Sequence, residues 1–358
     1  MGVATSQRWI HSRSFDLAWI IVPQCVVAFC LLIWSEKARM LGELPTGMWV
    51  VLIVGIDVSH VYSTVFRTYL DPRERARLPD LYKLFPIVAW AGGVVLYSMG
   101  ALYFWRALAY LAVFHFVRQQ YGFMMIYGAR NRTGSELIDK VAIYSATLYP
   151  LVYWHCHDRV FHWFVESDFL SFRLPGLTHV GLALYVAILG AYAVVEFQSY
   201  RATGRVNIPK TLLLVSTALT WWVGIITFNN DVAFTATNVV AHGIPYLALM
   251  WLYKRKEATL TRSPSLLFRL KGLPLYVGLL FTIGFIEEAF WDGLVWRDHY
   301  ELFSWIWKIG APPEGALAFL VPLLVLPQLL HYVFDAFLWR LHTGDPQWRA
   351  VLLGGTSQ

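Results

Sequence analysis

Residues 107–127 read ALAYLAVFHFVRQQYGFMMIY, and this stretch decides how the chain must be folded. As an α-helix at about 1.5 Å per residue it would rise roughly 31 Å, close to the ~30 Å hydrocarbon thickness of a bilayer. Near its middle stand His115, Arg118, Gln119 and Gln120. Polar and ionisable side chains at that depth are costly unless they face other protein or a polar cavity. The stretch therefore predicts one member of a multi-helix bundle, with its polar stripe turned inward.

The rest of the chain agrees. Of its 358 residues, 57% are hydrophobic and 15% charged, against about a quarter charged in a typical soluble domain. Its 17 tryptophans suit rings anchored at two membrane–water interfaces. A net charge of +6 would suggest nucleic acid in a soluble protein. Here it fits cytoplasmic loops facing an anionic leaflet, and no nucleic-acid partner is expected. Cys25 and Cys30 lie in the first hydrophobic run and Cys156 in a loop. Without CxxC or CxxCH, zinc-ribbon and covalent c-type haem readings lose their support. GxSxG, P-loop, GxGxxG and HExxH are missing too, so hydrolase and nucleotide-binding classes have no warrant. The opening MGVATS matches a myristoylation pattern only formally. The hydrophobic run that follows reads as a retained anchor rather than a signal peptide.

Ten runs are long enough to be helical spans: roughly 17–34, 47–66, 83–105, 107–127, 140–154, 178–196, 210–229, 233–253, 273–293 and 314–337. The fifth is short, and the third and fourth are nearly continuous. With ten spans, 21 Lys and Arg residues fall on the side of the termini, 7 on the other side and one, Arg118, inside a span. Basic residues favour the cytoplasmic side. The expected fold is thus an all-α polytopic bundle with both termini inside, residues 1–358 forming a single integral membrane domain. The cytoplasmic membrane of a bacterium is the expected setting.

On this topology, spans two, four, eight and ten run in the same direction, and each carries one histidine: His60, His115, His242 and His331. Each histidine has polar company at helical spacing. Asp57, His60, Thr64 and Arg67 follow at steps of three and four, which puts them on one face. The same holds for His115, Arg118 and Gln119, for Asn238, His242 and Tyr246, and for Gln328, His331 and Asp335. Histidines on the second and fourth members of spans one to four and seven to ten also fit a parallel internal repeat, with spans five and six inserted.

A single intramembrane histidine is often an interhelical hydrogen-bond partner. Four with matched stripes point to a shared site. Neutral imidazole is the commonest protein metal ligand, often oriented by a carboxylate. Asp57 and Asp335 are placed to ligate a metal or to orient a ligand. Arg118 and Gln119 remain to bind an anionic or carbonyl group of a substrate, or to balance buried charge.

One histidine on each of several membrane helices resembles the polytopic iron oxygenases that act on lipids, particularly the Brp/Blh beta-carotene-cleaving type. It is more distantly similar to membrane desaturases and hydroxylases, whose paired HxxxH and HxxHH motifs this chain lacks. The resemblance implies a non-haem iron site, a hydrophobic lipid or isoprenoid substrate and an electron donor of unknown identity. Two other readings stay open. A b-type haem protein would hold its macrocycle between histidine pairs, with Arg118 near a propionate. A proton-coupled transporter would use the same residues as a relay.

A second group lies between spans five and six: His155, Cys156, His157, Asp158 and His162, with Glu166 and Asp168. Glu287, Glu288, Asp292 and His299 are expected on the same outer side. Such a histidine pair can bind copper or zinc, but an aromatic-rich interfacial loop accounts for it more simply. LLFRLKGL, 266–273, reads as a basic segment on the inner leaflet.

Overall fold

The computed structural model describes residues 8–40, 44–131, 133–172, 174–260, 267–268 and 272–338. MGVATS, and the basic residues of LLFRLKGL, lie outside the described residues. Among those described, the regular structure is all helical, without strands. Ten long helices follow one another: α1 Arg13–Ile33 and α2 Thr46–Arg67, α3 Pro79–Met99, α4 Ala101–Asn131, α5 Glu136–Cys156, α6 Pro175–Thr203, α7 Ile208–Thr227, α8 Asp231–Leu260, α9 Leu273–Trp296 and α10 Glu314–Leu338. Eight of them are long and apolar enough to cross a membrane. The two that match these in length but not in apolarity are α4 and α5.

The boundary between α3 and α4 is one residue. Gly100 has φ +150° and separates them, a conformation that side chains oppose. The short fifth run becomes a full-length helix because Glu136 and Asp139 join its first turn, where acidic groups favour the helix dipole. Helix α10 is built from Glu314–Leu324 and Leu326–Leu338, meeting at Val325. Pro327 follows at once and has no N–H to give the preceding turn.

Helix α8 is the centre of the bundle: 83% of its most apolar stretch is buried, against 17% in α6 and 6% in α3. It packs on α1, α2 and α7, while α10 bridges α2, α3 and α4. The outer helices turn Leu84, Val88, Val95, Val180, Val186, Val194, Leu275 and Val277 outward. So extensive an apolar exterior is penalised in water and neutral in lipid. The packing does not follow the proposed repeat. Helix α9 lies along α2, whereas its counterpart α3 lies along α4 and α10.

Two buried charge clusters brace the bundle. Lys210 on α7, fully buried, donates to both oxygens of Asp139 on α5 at 2.9 and 2.8 Å and to Glu196 on α6 at 2.7 Å. The segment after α2 is fixed by Asp71, which caps the helix Pro72–Arg77 and meets Lys254 of α8 at 3.3 Å. Glu257 of α8 pairs with Arg73 and Lys254.

Candidate metal centre

Helices α2, α4, α8 and α10 bring His60, His115, His242 and His331 together in the core, with relative exposures of 1%, 6%, 1% and 1%. The rings form a closed quadrilateral. Centroids lie 4.6 Å apart for His60–His242, 4.9 Å for His242–His115, 4.6 Å for His115–His331 and 4.9 Å for His331–His60. One diagonal, His242–His331, is 6.3 Å. Local sequence explains how α2 delivers its histidine. Val50–Val58 is π-helical and Thr64–Arg67 tightens to a 3₁₀ turn, irregularities that often mark functional positions. Gly243 lets α8 approach α2: a Cβ there would stand 2.6 Å from Ile56 and 3.5 Å from Nδ1 of His60.

Ring nitrogens of the histidines come close to one another in the site. Nδ1 of His60 lies 3.3 Å from the Ile56 carbonyl. A carbonyl only accepts, so the proton sits on Nδ1 and Nε2 is bare. That Nε2 is 3.1 Å from Nε2 of His242. Two imidazoles on one ion, with bonds of roughly 2.0–2.1 Å, would be spaced about 2.9–3.4 Å between right-angle and tetrahedral geometry. Nε2 of His115, Nε2 of His331 and Nδ1 of His242 are buried without a hydrogen-bond partner. Each such orphan costs about 1–3 kcal/mol, and a further ligand would satisfy the two Nε2 atoms of His115 and His331. Ligand atoms of His60, His242 and His331, and those of His115, His331 and Asp335, lie within 4.8 Å of one another.

The two aspartates differ. Asp335, 8% exposed, has Oδ2 3.7 Å from Nε2 of His115 and Oδ1 3.8 Å from Nδ1 of His331. Asp57 lies 3.6 Å from Nδ1 of His60, with its side chain 24% exposed. It stands behind that imidazole, not among the converging nitrogens. Sequence spacing placed Tyr246 and Thr64 on the right stripes without giving either a role. The structure puts both in the site: Tyr246 donates to Asp335 at 2.7 Å, and Thr64 lies 2.7 Å from Nδ1 of His331. Tyr332, one residue beyond His331, packs its ring 4.8 Å from that of His115.

The glutamines of the opening stretch serve the backbone of α8. Pro245 has no N–H for the Ala241 carbonyl one turn earlier. Gln120 donates to that carbonyl at 3.3 Å, and Gln119 donates to the next one, His242, at 3.0 Å. Thr217 of α7 donates to Gln120 in turn at 3.1 Å. Gln119 therefore braces the backbone under His242 through its amide nitrogen, while its Oε1 is buried without a hydrogen-bond partner.

Arg118 departs from expectation. It is exposed, donates to the Tyr144 hydroxyl at 3.2 Å and lies 4.9 Å over the Tyr121 ring. At about 100° per residue, a step of three sets Arg118 some 60° to one side of His115 and a step of four sets Gln119 some 40° to the other. The face buried against α8 takes the glutamine side. The arginine reaches along the outside of the bundle, its stem on aromatic surface.

The outer histidines do not assemble. His155 is held between the Leu151 carbonyl at 2.6 Å and the Tyr110 hydroxyl at 2.8 Å. His157 contacts the Tyr153 carbonyl at 2.9 Å and stacks on that ring, and His162 is exposed. Asp168 accepts the amides of Trp163, Phe164 and Val165, shaping the loop, while its burial holds its pKa above the usual carboxylate range. Asp292 does the same for the turn after α9, accepting from Trp307 and the amides of Asp298 and His299. Compared with known protein families, curated proteins and solved structures, the chain matches none.

Proposed function

We propose that this protein is a membrane-embedded, metal-dependent oxidoreductase that crosses the bilayer ten times with both termini inside, in the cytoplasmic membrane of a bacterium. One non-haem iron ion is held by His60, His115, His242 and His331, with Asp335 beside it. The observation that carries the reading is the convergence of four imidazoles from four helices, with buried nitrogens facing one another unsatisfied. Imidazole with a carboxylate and open positions suits non-haem iron. Such an ion, when bound, supplies one-electron chemistry and a Lewis-acidic position. The chain holds the ligands in place and excludes water from the buried rings, and the proposed substrate is one that dissolves in the bilayer, a lipid or an isoprenoid. The mutual contact of the rings favours a single ion over haem, since it leaves no slot for a planar macrocycle.

Metal analysis of the purified full-length protein, with its visible spectrum, tests this. Stoichiometric iron without a Soret band, lost in His242→Ala, is the expected result. A Soret band would replace the reading with a haem protein. A second reading, a cation- or proton-coupled transporter, draws on Asp57, Glu287 and Glu288, three half-buried carboxylates gathered where α2 meets α9. Absence of bound metal together with proton flux in liposomes would favour it.

A further inference from the structure

With Asp335 ionised, the hydrogen bonds around His331 form a chain of fixed direction. Asp335, acceptor-only as a carboxylate, receives the hydroxyl of Tyr246 at 2.7 Å. Tyr246 has one proton and has given it away. The 2.8 Å contact between Thr64 Oγ1 and the Tyr246 oxygen must therefore run from threonine to tyrosine. Thr64 has then used its own proton. Its 2.7 Å contact with Nδ1 of His331 can form only if that nitrogen donates. The proton of His331 thus sits on Nδ1, and Nε2, buried without a partner, is bare.

We infer that Thr64 and Tyr246 are positioning residues that fix His331 in its Nδ1-protonated form and aim its bare Nε2 at the other histidines. They connect α2, α8 and α10, so one chain of three bonds ties the orientation of His331 to three of the four helices that supply the imidazoles. His60 reaches the same protonation state by a separate route, through the Ile56 carbonyl. The fixed tautomer follows from these hydrogen bonds with Asp335 ionised. Its use as a ligand rests on the metal reading above. Groups that orient a ligating imidazole typically change metal affinity by about 10–100-fold when removed.

Histidine ¹⁵N spectra of the full-length protein in lipid, combined with Co²⁺ titration, test the inference. Wild type should show His331 protonated at Nδ1. Thr64→Val should lose that signature and bind Co²⁺ at least about tenfold more weakly, and Thr64→Ser should restore both. Tyr246→Phe, which keeps the ring and cuts the chain at its carboxylate end, should fall between them. A wild-type His331 protonated at Nε2, or a folded Thr64→Val protein with unchanged tautomer and Co²⁺ affinity, would overturn the inference and leave the metal reading standing. The expected tautomer in a wild type that binds no Co²⁺ would do the reverse: the positioning chain would stand and the metal reading would fall. If Thr64→Val fails to fold, the wild-type spectrum and Tyr246→Phe decide alone.

Discussion

Nε2 of His60 lies 3.1 Å from Nε2 of His242. Two neutral imidazoles can meet this way only if one donates to the other or both face a cation. His60 already carries its proton on Nδ1. Without a cation, His242 must be protonated at Nε2 and leave Nδ1 a buried acceptor without a partner, its ring stacked on Phe116 with centroids 3.8 Å apart. With a cation, Nδ1 carries the proton. Replacing either histidine by alanine should therefore lower metal affinity by more than about 100-fold, beyond the roughly 10–100-fold loss of an orienting group. Metal content measured on folded variants checks this; stoichiometric metal in both would rule out the shared centre.

Arg118 gives a contrasting expectation. Its contacts are with Tyr121 and Tyr144, away from the four imidazoles. Arg118→Ala should leave bound metal unchanged and alter stability by no more than about 1 kcal/mol, the worth of an exposed cation–π contact. Loss of metal in a folded Arg118→Ala protein would show that the arginine acts at the site after all.

Much of the site was legible because helical periodicity reports faces directly. Steps of three and four placed His60 with Thr64, His242 with Tyr246 and His331 with Asp335, and all six meet. The same rule could not say which edge of a stripe the neighbouring helix would cover, and so Arg118 lies exposed while Gln119 reaches the backbone of α8. Nor could it reveal that Gln120 answers Pro245, because that pairing joins residues more than a hundred positions apart. The outer loop matches the simpler reading of an aromatic-rich interfacial loop. His155 and His157 are close in sequence, but their partners, Leu151, Tyr110 and Tyr153, are supplied by helix ends that fix each ring separately.

Those separate anchors make the outer loop testable. His155 and His157 are engaged through Nδ1 with carbonyls one turn earlier and lie apart from the four converging histidines. The double variant His155→Ala, His157→Ala should keep the metal content and visible spectrum of the wild type. A drop in metal in the folded protein would mean that the loop and the core centre are linked.

Lys210 should dominate stability among the charged residues. It is fully buried and bonded to two carboxylates. Lys210→Met strands Asp139 and Glu196 without their cation. Removing one partner of a buried pair costs roughly 3–5 kcal/mol, while replacing the whole set by apolar groups is often close to neutral. Detergent-based unfolding should show a large loss for Lys210→Met, and much of it should be recovered in Lys210→Met, Asp139→Leu, Glu196→Leu. Equal losses in single and triple variants would mean that the cluster stabilises by more than mutual neutralisation.

The coupling of Gln120 to Pro245 can be isolated by a double-mutant cycle. Gln120→Leu removes the donor to the Ala241 carbonyl and also the acceptor of Thr217. The orphaned carbonyl should cost about 1–3 kcal/mol. Pro245→Ala restores a backbone N–H at the position from which an α-helix serves Ala241. With that donor in place, the carbonyl no longer depends on glutamine. The cost of Gln120→Leu should then be smaller in the Pro245→Ala background by about 0.5–1.5 kcal/mol, the net worth of one hydrogen bond. The loss at Thr217 is common to both backgrounds and cancels, so the interaction term reports the carbonyl alone. Strict additivity would show that Gln120 does not compensate the proline. The polar residues at the heart of the opening stretch would then need another explanation.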